Sequence, residues 1–143
     1  MDNNKLDSIK KIPLDKKENP KGKIFHVIKN SSKHYKSFGE AYFSFIKFRQ
    51  IKGWKYHKKM NMNLVSPIGS VLFVFYCEKN KVFRKEIIGK NNYFRLYVPA
   101  KVWFAFQGLG KQTNIILNIA SIKHSPNEQK NCLLKDIPFK WKR

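Results

Sequence analysis

The sequence predicts an all-β domain, a sandwich or barrel of short strands. Three observations lead there. Runs of β-branched and aromatic residues recur at short intervals, separated by clusters of Gly, Pro, Asn and Ser. Helical periodicity is almost absent, and the one helical candidate is a short piece within residues 127–135. The 143 residues suit one domain and are 42% hydrophobic, with 12 Phe, 6 Tyr and 3 Trp, so the core is expected to be built largely from aromatic rings.

Residues 1–23 are polar and Lys-rich, contain Pro13 and Pro20, and read as an irregular arm or an edge contribution. A single domain is expected over residues 24–143, and its first strand-like run is 24–29. Residues 40–48 follow, rich in rings at Phe43 and Phe45. Residues 52–58 alternate after Gly53: Lys52, Trp54, Tyr56 and Lys58 would share one face, and Lys55, His57 and Lys59 the other. Residues 60–65 make the next run, and Ser66-Pro67-Ile68-Gly69-Ser70 reads as a turn. The wholly apolar residues 71–77 and then 82–88 flank a polar loop. Gly89-Lys90-Asn91-Asn92 is a turn before 94–98, which runs into Pro99. Residues 102–106 lead to Gln107-Gly108-Leu109-Gly110, and 114–122 is the last strand before the turn Ser125-Pro126-Asn127-Glu128.

The formal charge is +21, from 30 Lys and Arg against 9 Asp and Glu. Such a field attracts anions, whether nucleic acid, phosphorylated small molecules or acidic membranes. The lysines are spread along the chain rather than blocked together, so the charge permits an anionic ligand without selecting one. The cysteines, Cys77 and Cys132, form no CxxC and no zinc spacing. A polar N-terminus and the lack of a long apolar run point to a cytoplasmic protein with reduced thiols and no membrane partner.

The densest chemistry lies in residues 52–59. Nearby amines favour the neutral form of an imidazole, so His57 reads as a base in a site for an anionic substrate, or else as part of a basic, solvated strand end. Lys55 would bind a keto, enolate or phosphate oxygen as a point charge. Arg49 and Arg95 are candidate diphosphate clamps, because guanidinium matches phosphate oxygens in pairs; the alternative is surface ion pairing. Asn63 and Asn118 lie in apolar strands, where a buried amide needs partners. Trp54, Trp103 and Phe104 would stack on a base or sugar, or pack the core. Tyr42, Tyr56 and Tyr97 are candidate acids or packing residues, and His124 is a proton donor or a turn residue.

Three segments carry a resemblance. Lys52-Gly53-Trp54-Lys55-Tyr56-His57-Lys58-Lys59 resembles the Arg-Gly-x-His-x-(His/Gln) strand of sugar-nucleotide cupins, the dTDP-4-dehydrorhamnose 3,5-epimerases and dTDP-sugar 3,4-ketoisomerases. Leu96-Tyr97-Val98-Pro99-Ala100-Lys101-Val102-Trp103 resembles their Leu-Tyr-Ile-Pro-x-x-x-(Trp/Ala) segment. Residues 118–126, followed by Asp136-Ile137-Pro138-Phe139-Lys140-Trp141, resemble the epimerase C-terminal end. The resemblance implies a jelly-roll barrel, a homodimer, and a nucleotide-diphosphate sugar bound in the barrel mouth. It also implies no metal or organic cofactor, since a C4 keto group already acidifies the neighbouring C–H.

Carried over residue by residue, the catalytic positions are altered. Lys55 stands where the epimerase base would be, and His57 takes the second His of the ketoisomerase pair. The later epimerase His falls near Phe104, and the proton-donating Tyr near Lys123, with His124 beside it. The carboxylate that supports the base corresponds loosely to Asp136, and the motif Arg becomes Lys52. Metal-binding cupins are excluded by residue type, because His57 stands alone in the ligand motif.

The implied function is an epimerase or isomerase acting on a nucleotide-linked 4-keto sugar, in synthesis of surface-polysaccharide sugars. Lys55, His57, His124 and Asp136 are its catalytic candidates, and Lys52, Trp54, Arg49, Arg95, Asn63, Asn118 and Trp103 its binding candidates. A non-catalytic cupin that binds a nucleotide sugar is the alternative. A nucleic-acid-binding barrel is a second one, but no RNP-like or Arg-rich signature accompanies the basicity.

Overall fold

Period-2 patterning in a two-sided strand sets the architecture. In the computed structural model, which describes residues 5–143, twelve strands are ordered along the chain. They are β1 (Lys10–Pro13), β2 (Lys16–Asn19), β3 (Gly22–Phe25), β4 (Glu40–Ile46), β5 (Ile51–His57) and β6 (Met62–Ile68), then β7 (Ser70–Cys77), β8 (Val82–Gly89), β9 (Phe94–Val98), β10 (Trp103–Gly108), β11 (Asn114–Ala120) and β12 (Gln129–Asn131). Two five-stranded antiparallel sheets, β1-β9-β6-β11-β4 and β12-β5-β10-β7-β8, face each other as a jelly roll, and β2 and β3 form a separate hairpin.

Strand β7 shows why the sheets stack. Val71, Phe73, Phe75 and Cys77 point between the sheets and join Leu64, Leu96, Val98 and Phe104 in the main core. Leu72, Val74 and Tyr76 point the other way, where the C-terminal tail covers them with Ile137, Phe139 and Trp141. The strand is apolar throughout because both of its faces are covered. A fully buried Phe such as Phe73 or Phe75 contributes about 1.5–3 kcal/mol through burial alone.

Four local readings change. The segment before Ile24 is more regular than its polar composition suggests: β1 forms the edge of the first sheet, and Leu6 and Ile9 are buried in the core. Two apolar side chains among lysines were enough to anchor it. The 66–70 turn shrinks to Gly69, at φ 84°, because β6 continues to Ile68. Pro67 is tolerated there because the register between β6 and β11 slips between Ile115 and Leu117. The expected helix within 127–135 is instead two 3-10 turns, Pro126–Glu128 and Leu134–Asp136, on either side of β12. Hydrogen bonding of β12 to β5 outweighs weak helical propensity.

The fourth change bears on the site. Strand β5 does not alternate simply. Its register with β10 slips, so that Lys55 faces Phe104 while Gly53 faces Ala105, leaving Trp54 as the extra residue. Trp54 turns to the outer, tail-covered side, and Lys52 comes opposite the inward-pointing Phe106. Lys52, Lys55 and His57 thus share the inner face. Gly53 makes this possible at φ 152°, where a Cβ would lie 2.3 Å from the Ala105 Cβ. Gly53→Ala is therefore expected to destabilise the fold by about 1–3 kcal/mol, read as a lower midpoint of denaturant unfolding.

Candidate active site

Between the two sheets lies a cavity of about 690 Å³. Met62, Leu64, Phe73, Phe104, Phe106 and Ile116 form its apolar floor. Tyr42 and Ser44 of β4 and Asn118 of β11 project from one wall, and Lys52, Lys55 and His57 of β5 from the other. Glu40, Ile51, Gly53, Met60, His124 and Gln129 complete the lining.

His57 is the centre of the polar wall. It is 6% exposed, stacks on Phe104 at 5.7 Å, and places Nδ1 2.7 Å from the Glu128 carboxylate. Glu128 is also buried, and its second oxygen accepts the amides of Lys59 at 3.0 Å and Met60 at 2.9 Å. Burial would raise the Glu128 carboxyl, but those two amides and the His57 ring outweigh it and hold it below the ordinary carboxylate value. An ionised carboxylate only accepts hydrogen bonds, so Nδ1 is the donor, which in the neutral ring leaves the lone pair on Nε2. The dyad thus presents an oriented imidazole to the cavity, with a fixed negative charge behind it. Backbone pairing sets the geometry: Gln129 faces His57 across β12 and β5, and Lys58 N donates to Glu128 O at 2.8 Å.

On the opposite wall, Asn118 Nδ2 donates to the Tyr42 hydroxyl at 3.0 Å. Among the described residues, Asn118 Oδ1 is buried without a hydrogen-bond partner. A buried carbonyl oxygen left unpaired is costly, and here it lies in a residue lining an open cavity. His124 is held by a bond from its backbone amide to Glu40 Oε1 at 2.8 Å, and its ring is exposed.

The dTDP sugar isomerase from Desulfovibrio desulfuricans G20 superposes with a TM-score of 0.88 at 27% identity, covering 94% of this chain and 90% of that one. A 3,4-ketoisomerase from Thermoanaerobacterium thermosaccharolyticum, solved with TDP-4-keto-6-deoxyglucose, gives 0.72 at 14% identity over 85% and 86%. The dTDP-4-dehydrorhamnose 3,5-epimerase from Sulfolobus tokodaii gives 0.72 at 15% identity over 90% and 86%. The chain has the jelly-roll fold of these sugar-nucleotide isomerases and epimerases. No family model and no curated protein matches the sequence.

Of the residues put forward as catalytic and binding candidates, Lys52, Lys55, His57, Asn118 and His124 meet in the inter-sheet cavity, together with Tyr42 and Phe104. Six do not line it. Trp54 and Trp103 sit on the outer side of the second sheet, where they pack under the C-terminal tail. Arg49 donates from Nη1 to Arg143 O at 2.9 Å and so ties down the tail. Arg95 and Asn63 hydrogen-bond each other away from the cavity, because the side chains alternating with inward-pointing Leu64, Leu96 and Val98 leave the opposite face of their sheet. Asp136 accepts the Leu133 amide at 2.9 Å and caps a 3-10 turn. The carboxylate behind His57 is Glu128, which the sequence reading had left in a turn. The signal was an acid two residues after Ser125-Pro126, but only the return of β12 to β5 brings it to the ring. The direct partner of His57 is therefore a carboxylate, where the sequence suggested amines.

Proposed function

We propose that the protein is a sugar-nucleotide isomerase or epimerase whose base is His57. The observation that carries this reading is the buried His57–Glu128 dyad on the wall of an inter-sheet cavity. Nε2 of His57 takes the proton from the carbon beside a C4 keto group, and Glu128 stabilises the imidazolium that results. The ammonium groups of Lys52 and Lys55 balance the enolate oxygen and the diphosphate as point charges. Tyr42, fixed by Asn118 on the facing sheet, is the proton donor for the far side of the sugar. Return of the proton to the other face of the same carbon gives an epimer, and its return to the neighbouring carbon moves the carbonyl. The role falls in the making of surface-polysaccharide sugars in the cytoplasm.

The test is to incubate the protein with TDP-4-keto-6-deoxyglucose, the ligand of the ketoisomerase structure, and follow new sugar resonances by NMR. Conversion supports an enzyme. Saturable calorimetric binding without conversion, across a panel of 4-keto sugars, would instead support a non-catalytic nucleotide-sugar binder.

The working unit is a homodimer joined through the outer face of the first sheet. Phe43 and Phe45 are each 61% exposed there, opposite Leu117 and Ile115. Strands β4, β6 and β11 carry one charged residue between them, Glu40, in a chain of net charge +21. A second copy can meet this face without the like-charge repulsion it would meet elsewhere. Sedimentation should show a dimer for the wild type and a monomer for a Phe43→Asp, Phe45→Asp variant; a wild-type monomer at tens of micromolar would remove the dimer.

A further inference from the structure

Arg95 is a buried cation, 2% exposed, with no counterion among the described residues. Its Nη1 donates to Asn63 Oδ1 and its Nη2 to Lys33 O at 3.0 Å, both neutral acceptors, while Nε has no partner among the described residues. Burial lowers its pKa, the mark of a desolvated charge, yet a guanidinium remains ionised. Removing a cation from water without an anion beside it costs several kcal/mol. Such a cost is offset when an anion arrives.

Arg95 lines a cleft of about 750 Å³ between the edge strand β1 and residues 26–34. The cleft is on the far side of the first sheet from the His57 cavity, since Arg95 alternates with the inward-pointing Leu96. Its charged lining is Lys10, Lys11, Lys29, Lys33, Arg84 and Arg95 against Asp7 and Asp15. Arg84 and Lys11 are already paired with Glu86. Among the described residues the side-chain amines of Lys29 and Lys33 form no hydrogen bond or ion pair, so they stand beside Arg95 for a ligand. A volume of this size admits a ligand as large as a nucleotide.

We infer that this cleft is a second ligand site, which takes the phosphate of a small phosphorylated molecule on Arg95, Lys29 and Lys33. It is independent of the chemistry assigned to the His57 cavity. The phosphate oxygen accepts the orphan Nε–H, and the two amines neutralise its remaining charge. Inorganic phosphate, pyrophosphate and TDP share that group and differ in what is attached.

The experiment uses the full chain in 150 mM salt. Pyrophosphate and TDP are titrated by calorimetry into the wild type, into Lys29→Ala/Lys33→Ala and into Lys52→Ala/Lys55→Ala. In parallel, the arginine Nε–H signals are followed by NMR, with Arg95→Lys identifying the Arg95 resonance. The expected result is at least a tenfold loss of affinity at one of two pyrophosphate sites in the Lys29/Lys33 variant, retention of that site in the Lys52/Lys55 variant, which weakens binding in the His57 cavity only, and a shift of the Arg95 Nε–H on saturation. TDP binding two equivalents in the wild type and one in the Lys29/Lys33 variant would show that the site accepts nucleotides; pyrophosphate alone at the cleft would limit it to the phosphate group. Pyrophosphate affinity that is unchanged by Lys29→Ala/Lys33→Ala, with an unmoved Arg95 Nε–H, would overturn the site. If Arg95→Lys fails to fold, the lysine variants and the wild-type spectra decide the matter.

Discussion

His57→Asn is expected to lower kcat by about 10²–10⁴-fold while leaving ligand affinity within a few-fold of wild type. The substitution is chosen because an Asn amide can still donate to Glu128 at the position of Nδ1. The carboxylate keeps its partners and the fold its stability, so lost turnover is lost proton transfer rather than lost structure. Steady-state kinetics on TDP-4-keto-6-deoxyglucose, with calorimetric binding of TDP, separate the two quantities. Loss of binding in step with loss of turnover would instead make His57 a ligand anchor.

Glu128→Ala is expected to have the largest effect on stability of any single polar change. It strips the acceptor from two backbone amides and from the His57 ring, all at a buried position. Each unsatisfied group costs about 1–3 kcal/mol, and removal of one partner of a buried pair about 3–5 kcal/mol in total. Activity should fall as well, because the ring loses the bond that fixes its tautomer and its orientation. The pH dependence follows from the sign of the Glu128 shift. Its folded-state pKa lies below the unfolded value, so its contribution is complete above the ordinary carboxylate range, near pH 4.3. That contribution is lost as pH falls from there through the folded-state value. Urea denaturation from pH 7 down to pH 3 should show wild-type stability falling over that acid limb, and a flatter limb in Glu128→Gln.

Much of the fold was legible because it rests on local signals. The wholly apolar run at 71–77 and the run at 94–98 became β7 and β9 almost unchanged, since turn residues bracket both. The site was legible only along β5. His57 and Lys55 could be placed on one face by counting, but Lys52 could not, because the slip at Gly53 reverses the count. Glu128 was hidden for a different reason. It lies 71 residues from His57, and only long-range strand return joins them. Arg95 read as a clamp because guanidinium matches phosphate, and Asn63 as a pocket group because a buried amide needs partners, but both leave their sheet on the side away from the His57 cavity. Which face of the sheet they leave is set by the register of β6 and β9, a tertiary property.

Deuterium incorporation tests the base assignment most directly. Wild-type protein incubated with TDP-4-keto-6-deoxyglucose in D2O should place deuterium at the carbon next to the keto group, and His57→Asn should not, although both bind the sugar nucleotide. Equal incorporation by the two proteins, or binding by the wild type with no incorporation at all, would contradict a proton-transferring His57–Glu128 dyad.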